Sequence, residues 1–287
     1  MATINRTVLM SGVDHFSTAA AINPYMSADD QVDIEKARLE HRSIQDALET
    51  AGIKVITVPP PEGCQDGVYT ANWALVRGKK SILASLPNAR KGEEAYAETV
   101  LKDLGKEVVH VPEAVRFSGQ GDALPCGDYL FAGSTYRSDP AVHQFVADTL
   151  GYQVICLQTI PDTNFFGKPR INKSSGWPDS FFYDIDLALS VLRPDLIAWC
   201  PKAFTPDSQA KIRELPLEKI EVSLKEATQA FACNLVSSGE TVIMSAHAPA
   251  FKAAVEAAGL KVVTPEISEL AKGGGYIRCT TLTLDNI

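Results

Sequence analysis

The sequence has no cysteine pair spaced as C-x-x-C, no glycine fingerprint for phosphate or dinucleotide binding, and no apolar run near the roughly 18 residues that a membrane helix requires. These absences argue against a zinc knuckle, a redox dithiol, a nucleotide cofactor and a membrane span. No His, Cys, Asp or Glu cluster has ligand spacing, so neither a metal nor a cofactor is expected. Basic charge is in deficit: 27 Lys and Arg stand against 35 Asp and Glu, for a net charge of −8. That balance disfavours nucleic acid as a partner and is compatible with a small cationic substrate. Residues Met1 to Arg6 carry no basic, apolar and small-residue leader pattern. Six cysteines at 64, 126, 156, 200, 233 and 279 then read as reduced thiols of a cytoplasmic protein. No linker rich in Gly, Ser or Pro divides the chain, so residues 1–287 are expected to form one domain. A homo-oligomer is left open.

What the sequence does have is weak internal repetition. A helical tail followed by a β-rich run appears at Ala51–Val58 and returns at Leu104–Val111, Leu150–Leu157, Ala258–Val263 and, degenerately, Leu217–Val222. Between copies lies a hairpin phrase that opens on a polar residue: Asn72 before Trp73–Val76, Asp122 before Ala123–Pro125, Asp186 before Leu187–Val191, Asn234 before Leu235–Val236, and Cys279 before Thr280–Leu284. The fifth hairpin lacks its partner because the chain stops, and Thr7–Met10 supplies a matching strand. Pairing the first strand with the last would close a ring and hide its sheet edges. Amphipathic stretches at Gln31–Ala51, Gly92–Leu104, Pro140–Leu150, Asp207–Leu215 and Ala248–Ala258 would cover the outside as helices. The fold expected is therefore a five-bladed α/β propeller of ββαβ units around a central channel, with an ordinary α/β sandwich as the alternative. Pro161–Asp179, the longest irregular stretch, reads as a lid or a partner contact.

In register, Asn72, Asp122, Asp186, Asn234 and Cys279 fall at equivalent positions around the channel. Buried polar groups need partners, so these residues bond to one another or to a polar ligand. Asn234 reads best as a structural pin. Carboxylates beside a thiol suit a planar cation such as a guanidinium. Cys279 follows Gly273-Gly274-Gly275-Tyr276-Ile277-Arg278. The glycines are expected to let backbone amides approach a ligand, and Arg278 to favour the nucleophilic thiolate.

From Ile22-Asn23-Pro24-Tyr25-Met26 to Gly273–Thr280 the chain resembles the amidinotransferase and dimethylarginine dimethylaminohydrolase-like group, which includes arginine deiminases and dihydrolases. The resemblance implies a five-bladed propeller and a C-terminal cysteine nucleophile, here Cys279, that attacks a guanidino carbon. It implies that Asp186 holds the guanidinium nitrogens and that Asn72, in Thr70-Ala71-Asn72-Trp73, contacts substrate. Asp66 matches the acid near the substrate's amino end, Arg137 the arginine that clasps its carboxylate, and Asp122 the end of a Glu-Gly-x-Gly-Asp segment. Two positions depart from the family pattern: Ser118 stands where that segment begins with a catalytic-site glutamate, and Asp184 where the His-Leu-Asp motif has its general acid/base histidine. Asp184 and Asp186 are expected on one side of a strand, where repulsion raises the pKa of one of them enough for proton transfer. Ser118 is counted with the catalytic group by position. His41 and His143 read as helix residues, whereas His15 and His247 follow strands and are candidates for a channel mouth. Three functions follow: a hydrolase working through a covalent Cys279 intermediate on an arginine-like substrate, an amidinotransferase passing the group to an amine, or a binding protein on the same scaffold.

Overall fold

A computed structural model describes residues 4–286. Met1–Thr3, the start of the segment expected to carry no leader pattern, lie outside them. Strand β1 (Thr7–Ser11) leads through helix α1 (Ile34–Thr50) to β2 (Lys54–Val58). The next unit is β3 (Ala74–Arg77), β4 (Lys80–Leu83), α2 (Gly92–Asp103) and β5 (Glu107–His110). It recurs as β6 (Ala123–Cys126), β7 (Tyr129–Gly133), α3 (Val142–Leu150) and β8 (Gln153–Leu157). The fourth comprises β9 (Leu189–Arg193), β10 (Leu196–Trp199), α4 (Pro206–Glu214) and β11 (Glu218–Glu221), followed by a short helix α5 (Leu224–Gln229) that the repeat pattern did not indicate. The fifth has β12 (Val236–Ser237), β13 (Thr241–Ile243), α6 (Pro249–Ala257) and β14 (Lys261–Val263), and the chain ends on β15 (Leu282–Thr283).

These strands form five three-stranded sheets, each an antiparallel pair extended by a parallel third strand. The chain's two ends make one blade: Val8 and Leu9 of β1 pair antiparallel with Thr283 and Leu282 of β15, and β2 lies parallel on the other side of β1. The fold is thus the five-bladed α/β arrangement expected from the repeats. Each parallel third strand returns through a helix, the connection a parallel pair requires. Blade cores are apolar: Val8, Ile44, Leu48, Leu196 and Ile243 are fully or almost fully buried in one cluster, and Trp73, Val76 and Leu101 in another. Among the described residues, no helix is long and apolar enough to cross a membrane.

The structure differs from expectation in the polar positions. They do not begin the inner strands but sit in tight turns before them. Asn72 lies in a 3-10 turn at Thr70–Trp73, Asp122 caps another at Gly119–Gly121, and Asp186 lies inside a third at Ile185–Leu187, with Asp184 at its N-cap. Asp184 and Asp186 are therefore not on one face of a strand. A 3-10 turn lifts the side chain out of the pleat at these three positions, while Asn234 lies in a bend and Cys279 in a turn of another kind. The segment 161–179 is not featureless either: isolated bridges join Thr163 to Pro169 and Ile171 to Pro178.

Candidate active site

Asn72, Ser118, Asp184 and Cys279, together with Asp66, Arg90, Arg137, Tyr69 and Tyr183, line one enclosed cavity of about 20 Å³ at the turn end of the inner strands. The space admits a single water, so a larger occupant must displace its walls. Ile22 and Asn23, on the long connection after β1, close one side, and Leu86 and Pro87 another.

Cys279 is 2% exposed. Its Sγ accepts from Asn234 Nδ2 at 3.1 Å and donates to Asp186 Oδ2 at 3.4 Å. Asn234 Oδ1 in turn accepts from the backbone N–H groups of Tyr276 and Cys279, both at 3.1 Å. One asparagine thus fixes the turn that carries the nucleophile and also donates to its sulfur. Burial pushes the Cys279 thiol well above its ordinary value, and the Asp186 and Asp184 carboxyls push the same way. Arg278 and Cys279 attract each other through charge, but the guanidinium makes no hydrogen bond to the sulfur. Arg278 donates from Nη1 to Thr283 Oγ1 at 3.1 Å and lines a different cavity. It does not line the cavity of Cys279.

The carboxyls behave as a group. Burial raises the pKa of Asp184, against the pull of Arg137, Ser118, Asn72 and Arg90. Burial and the neighbouring Asp184 raise that of Asp186 well above the carboxylate range, and the same two causes act on Asp122. Each of the three keeps one buried oxygen without a partner among the described residues: Asp122 Oδ2, Asp184 Oδ1 and Asp186 Oδ1. Their other oxygens are held. Ile185 N–H donates to Asp122 Oδ1 at 3.0 Å, and Asn72 Nδ2 donates to Asp184 Oδ2 at 2.7 Å. Asp122 and Asp186 lie behind the cavity wall rather than in it. Asp66 is also fully buried, and burial pushes it up to about 6 against the nearby Arg90.

Asn72 joins the departures from the family pattern. Its Nδ2 also donates to Ser118 Oγ at 2.9 Å and to the Ser118 carbonyl at 3.1 Å, and Ser118 bonds to Asp184. Asn72 Oδ1 accepts from Arg90 Nη1 at 2.7 Å. Arg90 is bidentate to the fully buried Glu93, with both contacts at 2.7 Å, and reaches the carbonyls of Asp66 and Tyr69. Trp73 Nε1 donates to the same glutamate at 3.0 Å. Sequence reasoning missed Arg90 and Glu93. The available signal was an Arg and a Glu three apart at the start of α2, a spacing common on exposed helix faces.

Arg137 is 5% exposed and its Nη2 donates to the Ile22 carbonyl, while Nη1 is buried without a partner among the described residues. Its guanidinium stands 5.0 Å from the Tyr183 ring centroid. Of the three glycines, only Gly273 lines the cavity. They admit neighbouring side chains rather than expose amides: a Cβ on Gly273 would stand 2.1 Å from Tyr69 Oη, and one on Gly274, at φ +83°, 2.4 Å from Asn23 Oδ1. Tyr183 Oη donates to the Gly274 carbonyl at 2.8 Å.

No histidine lines the cavity. His143 is buried against the Gly133 carbonyl at 2.9 Å. Burial depresses His41 to about 4. His15 is exposed, and His247 is exposed beside Glu266, so neither stands in for the family's histidine. Among the described residues no group of three or more His, Cys, Asp or Glu could hold a metal ion.

The chain is 31% identical to an N(G),N(G)-dimethylarginine dimethylaminohydrolase of Mycobacterium tuberculosis, over 97% of this chain and 86% of that protein. It is 30% identical to the bifunctional arginine dihydrolase/ornithine cyclodeaminase ArgZ of Synechocystis, over 96% of this chain but only 37% of that longer protein. Among solved structures, the N-terminal domain of ArgZ bound to product superposes with a TM-score of 0.86 at 28% identity, covering 98% of this chain and 97% of that one. A variant of the same domain is covalently bound to a reaction intermediate. The dimethylarginine dimethylaminohydrolase of Pseudomonas aeruginosa, at 18% identity and a TM-score of 0.75, shares the fold. Residues 14–285 match the family model described as eukaryotic N,N dimethylarginine dimethylhydrolase, and the chain belongs to that family.

Proposed function

We propose that this protein is a hydrolase of guanidino C–N bonds, acting through a covalent adduct on Cys279 with a small arginine-like cation as substrate. The observation that carries the reading is an electrostatic imbalance. The Asp184 carboxyl and the Cys279 thiol line the cavity, the Asp122 and Asp186 carboxyls lie buried behind its wall, each of the three carboxyls has an oxygen without a partner among the described residues, and Arg90 is committed to Glu93. A guanidinium would bring the missing positive charge and a planar set of N–H donors. Arg137, with a free Nη1, would take the substrate's carboxylate, and Asp66 its amino end.

The chemistry then follows from the protonation states. The cation expels the proton of Asp186 to solvent and lowers the pKa of Cys279, and the Asp186 carboxylate so formed, in contact with the sulfur, accepts the thiol proton. Sulfur bonds to the guanidino carbon. Asp184, which lines the cavity and whose pKa is raised, protonates the departing amine as the C–N bond breaks. Water, deprotonated by the carboxylate so formed, adds to the adduct. The C–S bond breaks, leaving a urea and the regenerated thiol. Asn72 and Ser118 hold Asp184 in place. We read residues 1–287 as one domain working in the cytoplasm, on cysteine usage and the absence of a divided chain.

The test is incubation with L-arginine, methylated arginines, agmatine and other guanidino acids, with and without an amine acceptor, following products and intact mass beside Cys279→Ser. Ammonia, an alkylamine, citrulline or ornithine that disappears in the variant establishes the hydrolase. A product that forms only with the amine acceptor makes it an amidinotransferase. No product and no adduct from any of them leaves a binding protein.

A further inference from the structure

The turns of the inner strands face the cavity of Cys279. The opposite ends of the same strands enclose a second cavity, of about 170 Å³. Its walls are apolar where Leu124, Leu189, Val191 and Leu235 contribute, and Arg278 and Ser190 supply the polar atoms of interest. Arg278 is 5% exposed, yet only Nη1 has a protein partner, the hydroxyl of Thr283. Its Nε is buried without any partner among the described residues, and so is Ser190 Oγ. Arg6 and Asp285, both more exposed, form an ion pair in the same wall.

A buried guanidinium needs an anion beside it. The acids that act on Arg278 are Asp186 and Cys279, and both are held towards their protonated forms. Asp285 accepts from Arg6 through Oδ2, and its Oδ1 is buried without a partner among the described residues. Among the described residues no carboxylate hydrogen-bonds the Arg278 guanidinium, and beside it lie a cavity, a hydroxyl and an aliphatic wall. We propose that this cavity is a second ligand site, distinct from that of Cys279, which binds a short aliphatic monocarboxylate with its carboxylate on the Arg278 guanidinium and the Ser190 hydroxyl and its chain against Leu124, Leu189 and Val191. Cavities of roughly 150 Å³ accommodate a benzene-sized molecule, so the space suits a chain of a few carbons. The proposal does not depend on what Cys279 does.

The test is equilibrium dialysis of the full chain with labelled pentanoate, beside pentanamide and pentylamine. Saturable pentanoate binding is expected, at least tenfold tighter than that of the amide or the amine. Arg278→Met should lose it. Should that variant fail to fold, Val191→Phe, which fills the cavity while keeping the guanidinium, should weaken binding at least tenfold. Arg137→Met should leave it unchanged. A crystal structure with 5-bromopentanoate should place bromine beside Val191. Equal binding of amide and acid, binding lost with Arg137→Met and kept with Val191→Phe, or bromine in the cavity of Cys279 would each overturn the proposal.

Discussion

Cation binding to the Cys279 cavity should expel a proton. In the resting protein the acids there are pushed towards their neutral forms by burial and by one another. A unit cation about 4 Å away, at an effective dielectric near 20, stabilises an anion by about 4 kcal/mol, which corresponds to roughly three pKa units. That is enough to ionise one of these acids, and Asp186, which contacts residue 279 and must be a carboxylate to take the thiol proton, is the one the reaction requires. Isothermal titration of Cys279→Ala with L-arginine, repeated in buffers of different ionisation enthalpy, counts the protons released without turnover. The expected value approaches one per ligand near pH 7. Correspondingly, affinity should weaken by up to tenfold for each pH unit below that, since the proton must then leave against a higher proton activity. Binding with no proton release, and an affinity flat from pH 5 to 8, would mean that the carboxyls are already ionised, and the argument from burial would fail.

Two further outcomes follow from buried charge. Asp66 is pushed from its ordinary value of 3.8 to about 6, so its protonated form is favoured by folding; that contribution is complete below 3.8 and is lost as pH rises through about 6. Asp66→Asn should therefore stabilise the protein at pH 8 by up to about 3 kcal/mol, with the gain vanishing at pH 4, as read from urea midpoints across pH. Arg90→Met strands Glu93 in the core and should cost about 3–5 kcal/mol, whereas adding Glu93→Leu should recover a large part of it; losses that merely add in a double-mutant cycle would show that the pair is not coupled.

The blades were legible in the sequence because each repeats the same local instructions. A helix ends at a glycine in the left-handed region, as at Gly151 (φ +73°), and a β-branched run follows as the parallel strand. The polar ring was legible as a set of positions, because a polar residue ahead of an apolar strand recurs five times. Its contacts were not, because they join residues from different blades whose separation no period encodes. Arg90 and Glu93 show the same limit: an i,i+3 pair is read as solvated until the fold buries it. The departures at Ser118 and Asp184 look like two separate losses in the sequence, yet the structure joins them in one hydrogen-bonded unit through Asn72. A glutamate at 118 beside Asp184 would bring two carboxylates together, and a histidine at 184 beside Ser118 would lose its acidic partner. Restoring the family pattern should then be strongly non-additive. Asp184→His or Ser118→Glu alone should lower turnover of any guanidino substrate, whereas the double variant should exceed both by at least tenfold in kcat/KM on L-arginine or a methylated arginine. Independent effects of the two substitutions would mean that the unit seen around Asn72 has no functional meaning.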